Sequence, residues 1–126
     1  MKLRTLMLVN TVVAFIFGVS FVVAPGQTMA LYLIPADAPL LLTGQLFGAC
    51  LVGFAVLTWL ARNAGESDAR RAIVLSLFVG DAVGFVVSLI GQLGGVLNSL
   101  GWLNVAIYLV LALGFAYFAF MKPSTP

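Results

Sequence analysis

The sequence predicts an all-α integral membrane protein, a bundle of four transmembrane helices. Three observations carry that expectation. The chain is 63% hydrophobic and only 8% charged, against about 25% charged residues in a typical soluble domain. Its mean hydropathy is +1.17. Four apolar runs, at about 6–23, 40–60, 73–93 and 100–121, are each long enough to cross a hydrocarbon core roughly 30 Å thick at about 1.5 Å per helical residue. With 126 residues, the chain reads as one domain, 1–126.

Lys2 and Arg4 precede the first run, Leu6 to Val23. A basic start before an apolar stretch also describes a signal peptide. This run exceeds the roughly 7–15 residues of a signal core, however, and three more follow it, so an uncleaved first helix is expected. Asn10, Ala14 and Gly18 recur every fourth residue and make a small or polar face suited to helix contact.

Pro25, Pro35 and Pro39 punctuate the connection from Ala24 to Pro39 and argue against a continuous helix there. Between them, Thr28 to Ile34 is apolar but too short to span. It is expected to lie at the membrane interface, and a lid over an outer cavity is the alternative reading.

The second run, Leu40 to Leu60, carries Gly44 and Gly48 in a GxxxG pattern, with Ala49 and Gly53 as a neighbouring small pair. Both predict close helix packing. Cys50, near its middle, is expected to be a small buried packing residue, since no cation or histidine lies nearby in sequence to hold a thiolate. One cysteine and no histidine exclude disulfides within the chain, CxxC redox pairs and Cys/His metal sites, so no metal or cofactor is expected.

Ala61 to Arg71 is a polar turn, in which Ser67 is suited to cap the third helix with Asp68 in its first turn. The third run, Ile73 to Leu93, contains Asp81, the single acidic residue within any of the four. An ionised carboxylate near the bilayer midplane costs at least about 2.5–3.5 kcal/mol, so Asp81 is expected to face the bundle interior and to be largely uncharged. On a helical wheel Asp81, Ser88 and Gln92 form one polar stripe, with Gly84 between them. Gly80, Gly84 and Ser88 also make a row of small residues. Two readings stand side by side: a buried acid in a proton, ion or ligand site, and an acid that fixes packing by a hydrogen bond.

Gly94 to Ser99 is a short uncharged turn, and the fourth run, Leu100 to Met121, has Trp102 near one end and Tyr117 near the other, as aromatic belts predict. Lys2, Arg4, Arg62, Arg70, Arg71 and Lys122 then fall on one side of a four-span chain, and the opposite connections hold no basic residue. The positive-inside rule places both termini in the cytoplasm, an N-in/C-in arrangement. Gln45, Gln92 and Asn104 would share a level near the outer boundary. Tyr108 lies one turn deeper than Asn104, approaching the level of Asp81.

The net charge of +2 resides at span ends, suited to lipid headgroups and with no basic face for nucleic acid. No histidine, second buried carboxylate, phosphate-binding loop or nucleophile–base pair points to catalysis. The expectation is a non-catalytic accessory or interaction subunit, held in the lipid bilayer beside a membrane-protein partner or its own copies. It would offer an intramembrane pocket to a lipid-like molecule at Asp81, Ser88, Gln92, Gln45, Asn104 and Tyr108. The alternative is a small oligomeric proton- or ion-linked transporter using Asp81.

Several local patterns carry a resemblance. Phe17-Gly18 is followed by Ala24-Pro25; Leu46-Phe47-Gly48-Ala49 leads into Thr58-Trp59-Leu60-Ala61-Arg62; Gly101-Trp102 and Tyr108-Leu109 open the last span. In this order the chain resembles the small four-helix bacterial membrane proteins grouped as DoxX-like or as families of unknown function. The resemblance implies an inner-membrane location and an accessory role beside quinone or thiol redox systems. It supplies no catalytic residue.

Overall fold

A computed structural model describes residues 1–121; Lys122 and the tail, counted above in the charge asymmetry, lie outside the described residues. The described chain is all-helical. Its elements are α1 (Leu3–Val23), α2 (Pro25–Leu31), α3 (Ala38–Ala61), α4 (Asp68–Leu93) and α5 (Gly101–Ala116), closed by a π-helical turn over Tyr117–Met121. Four helical stretches are long and apolar enough to cross a membrane: Leu3–Val23, Ala38–Ala61, Asp68–Leu93 and Gly101–Met121. They mark a multi-pass membrane protein.

α1, α3 and α4 each start before the apolar run that predicts them, because the flanking residues make good first turns. α3 starts at Ala38, capped by the Asp37 carboxylate, which accepts from the Leu40 amide at 2.9 Å. α4 starts at Asp68, capped by Ser67 Oγ accepting from the Arg70 amide at 3.1 Å. It ends in a Schellman motif at Gly94–Val96. Gly95 takes φ +73, its amide bonds to the Gln92 carbonyl at 3.1 Å, and the Val96 amide bonds to that of Gly91 at 3.0 Å.

The segment expected at the interface folds into α2. Pro25 initiates it instead of breaking it, since the first turn of a helix has no use for the missing N–H. α2 closes with the same motif as α4: the Leu33 amide bonds to the Ala30 carbonyl at 3.0 Å and that of Ile34 to Met29 at 3.1 Å. Leu33 sits here at φ +58, a conformation that costs a side-chain-bearing residue about 1–2 kcal/mol.

The chain divides into two compact units. One, Met7–Arg62, pairs α1 with α3 and carries α2. Asn10, Ala14 and Gly18 are all buried, as their spacing predicts. A Cβ on Gly48 would stand 2.7 Å from the Gly18 carbonyl oxygen, and one on Gly18 would stand 2.9 Å from the Val52 amide nitrogen. The two backbones therefore touch. Gly44 is filled by the Met29 methyl of α2, and Phe21 meets Phe47 edge-on at 5.4 Å. Cys50 is exposed on α3 and not buried as its small size suggested, and Gly53 has open space around it. Both lie away from the Gly44–Gly48 contact face. At the end of α3, the Arg62 guanidinium stacks 3.7 Å over the Trp59 ring and donates to the Trp59 carbonyl, closing a helix end that has no partner of its own.

The other unit joins Met1–Leu6 to the chain from Asn63 onward, and in it α4 packs along α5. Leu6 lies against Gly114, where a Cβ would come 2.9 Å from Leu6 Cδ1, and Arg4 Nε donates to Asn63 Oδ1 at 2.8 Å. The π-helical turn places Phe120 edge-on to Phe78, with ring centroids 5.2 Å apart. The fourth span was expected to stay α-helical to Met121; its last turn widens instead.

Candidate intramembrane polar site

Five of the six polar residues expected at an intramembrane site belong to the α4–α5 unit: Asp81, Ser88, Gln92, Asn104 and Tyr108. Gln45 belongs to the Met7–Arg62 unit, where its Nε2 donates to the Val22 carbonyl at 3.1 Å. Val22 lies in the last turn of α1, whose final carbonyls lack helical partners, so Gln45 completes a helix terminus.

Two contacts fix the antiparallel register of α4 and α5. Gly84 lies under the Tyr108 ring: a Cβ there would stand 2.5 Å from Cε1 and 2.6 Å from Cδ1. Gly101 lies against the Gln92 side-chain carbonyl. This register sets Ser88 level with Asn104, and Asp81 level with the buried Leu111 and Ala112. Along α4, Asp81 and Gly84 are one turn apart on one face, about 5–6 Å between Cβ positions, so Asp81 lies one turn from the glycine that the Tyr108 ring covers.

Each polar group on this face can then be followed. Gln92 Nε2 donates to the Asn98 carbonyl at 3.0 Å, tying α4 to the turn that leads into α5. Its Oε1 is shielded from solvent and has no conventional donor, but it occupies the position over Gly101 where a Cα–H···O contact replaces one. Ser88 Oγ donates to the Phe85 carbonyl at 3.2 Å and so turns inward on its own helix. Asn104 and Tyr108 are both engaged with partners. Asp81 is different. The residue as a whole is half-buried, yet its Oδ2 is shielded and accepts no hydrogen bond. Gly80 beside it has no atom within 4 Å of its Cβ direction, so the small-residue row of α4 is used at Gly84 and open at Gly80.

Sequence reasoning missed the second polar cluster, in the Met7–Arg62 unit. Thr58 is fully buried and Asn10 is 5% exposed. Asn10 Nδ2 donates to Thr58 Oγ1 at 3.4 Å, and the Thr11 and Thr58 hydroxyls lie 2.7 Å apart. Thr58 Oγ1 also reaches the Phe54 carbonyl at 2.9 Å. Asn10 was legible as an inward residue; a threonine in an apolar run carries no sign of which way it points. With its groups mutually bonded, this cluster serves packing.

Among the described residues, no three of His, Cys, Asp and Glu come together in a metal-binding group. Compared with models of known protein families, with curated proteins and with solved structures, the chain matches none of them.

Proposed function

We propose that this protein is a non-catalytic accessory subunit of a membrane assembly and that its α4–α5 face receives a lipid-like molecule within the bilayer. The observation that carries the reading is the contrast along α4. The Gln92 amide nitrogen and the Ser88 hydroxyl are spent on backbone carbonyls and Gln92 Oε1 is covered by Gly101, while Asp81, the acidic group of this helix face, retains a shielded oxygen without a donor, next to an open glycine and one turn from the glycine under the Tyr108 ring. A group of that kind is a place for a ligand to supply what the chain does not. The DoxX-like pattern of the sequence supports the accessory role and a bacterial inner-membrane location. The basic residues at one side of the four spans support an arrangement with both termini in the cytoplasm.

Affinity purification of the tagged protein from its own membranes in mild detergent, followed by native mass measurement, tests the role. A stoichiometric second protein is the expected result; the chain emerging alone, with no protein and no lipid-like molecule attached, overturns it. The same Asp81 oxygen favours one second reading, a small proton- or ion-linked transporter. Asp81→Asn keeps the size and hydrogen-bonding capacity of the side chain but cannot ionise. Loss of a transport activity in that variant, with folding unchanged, selects the second reading over the first.

A further inference from the structure

We propose that the Asp81 side of α4 binds a monocationic amphiphile, an ammonium-type head on an apolar body, with Asp81 as its counter-ion and the Tyr108 ring as an adjoining wall. This deepens the ligand-face reading above and rests on it. The first support is a missing charge partner. Asp81 is the lone acidic residue in an apolar run, and the nearest cation along its helix, Arg71, lies ten residues away, about 15 Å. α5 contains no charged residue at all.

The second support is geometric. Asp81 Oδ2 is shielded and unpartnered, while the residue as a whole remains half-buried. Gly80 leaves its flank open, and Gly84 one turn on holds the Tyr108 ring. A carboxylate one helical turn from the glycine under an aromatic ring suits a weakly hydrated cation with an apolar body, which spans charge and ring without surrendering a tight water shell.

The same surroundings disfavour other ligands. A bare metal ion needs several oxygen ligands, and the described residues form no group of three His, Cys, Asp or Glu at Asp81. An anion would meet a carboxylate with no cation beside it.

Binding of radiolabelled dodecyltrimethylammonium to the full chain in lipid nanodiscs tests this, against the neutral isostere that has carbon in place of nitrogen. Saturable binding of the cation is expected, at least about tenfold tighter than the isostere. Asp81→Asn should abolish that preference and Asp81→Glu retain it. Tyr108→Leu should weaken cation binding about three- to tenfold, and Tyr108→Phe should not. Equal binding of cation and isostere to the wild-type chain overturns the inference, as does full cation preference in a folded Asp81→Asn protein. If Asp81→Asn fails to fold, the wild-type comparison and Asp81→Glu decide. Native mass measurement of the same nanodiscs separates the two readings. A retained neutral lipid-like molecule without cation preference refutes the cationic ligand and leaves the ligand face standing; neither ligand bound refutes both.

Discussion

Replacing Gly48 with alanine should loosen the α1–α3 pair, and the structure indicates by how much. The added Cβ would stand 2.7 Å from the Gly18 carbonyl oxygen, 2.8 Å from Phe21 Cβ and 3.0 Å from Val22 Cγ2. A carbon and a carbonyl oxygen ordinarily approach to about 3.3 Å, so the first contact is about 0.6 Å too short. The obstructing atom is backbone, so no rotamer change relieves it and the two helices must part. Overpacking of this kind costs about 1–3 kcal/mol. Gly18→Ala meets the same obstacle from the other side, at 2.9 Å from the Val52 amide nitrogen and 3.0 Å from the Gly48 carbonyl oxygen. One separation accommodates both, so the double variant should lose less than the sum of the singles. Gly53→Ala and Gly80→Ala are the controls. Nothing lies within 4 Å of either Cβ direction, and alanine's better helix propensity should leave stability unchanged or raise it by up to about 1 kcal/mol. Reversible unfolding of the purified protein in mixed micelles measures all five. Wild-type stability in Gly48→Ala, or an equal loss in Gly53→Ala, would refute the close backbone crossing.

Three further outcomes follow from individual bonds. Thr58→Val keeps the shape of a fully buried side chain but removes the hydroxyl shared with Asn10 and Thr11, and should cost about 0.6–1.7 kcal/mol in the same unfolding assay, with Thr58→Ser costing less. Leu33→Gly should stabilise the protein by about 0.5–1 kcal/mol, the relief of a left-handed leucine less the added chain entropy of glycine. Gln92→Leu releases the Asn98 carbonyl, and amide exchange over residues 94–100 should quicken about fivefold, the equivalent of one hydrogen bond worth roughly 1 kcal/mol.

The number and place of the spanning helices were legible because apolar content over some twenty residues has no competing explanation. The inward face of α1 was legible as well, since Asn10, Ala14 and Gly18 are conspicuous against Val and Phe. The start of α4 was legible too, from Ser67 as a cap with Asp68 in the first turn, although the apolar run itself begins only at Ile73. Over 24–39 the prolines rightly excluded a continuous helix, but the short helix that Pro25 begins was not read from them. The amides misled. Gln45 and Gln92 invited a polar cluster at the outer mouth, but each donates to a backbone carbonyl at or just beyond a helix end. A free carbonyl is invisible in a sequence, so the partner that an amide will choose is invisible too. Asp81 stands out in the sequence as the lone acid of its run, while the seating of the Tyr108 ring over Gly84 depends on the α4–α5 register, which no local pattern encodes.

The α1–α3 pair is pinned at three heights. Asn10 and Thr11 meet Thr58 near one end, Gly18 meets Gly48 in the middle, and Val22 receives Gln45 near the other end. A slide of one helical turn, about 5.4 Å, would break both sets of polar contacts at once and drive side chains into the notch at Gly48. This pair therefore cannot ratchet. Its two spans travel together or stay still, and whatever motion the protein makes, α1 and α3 enter it as a single rod.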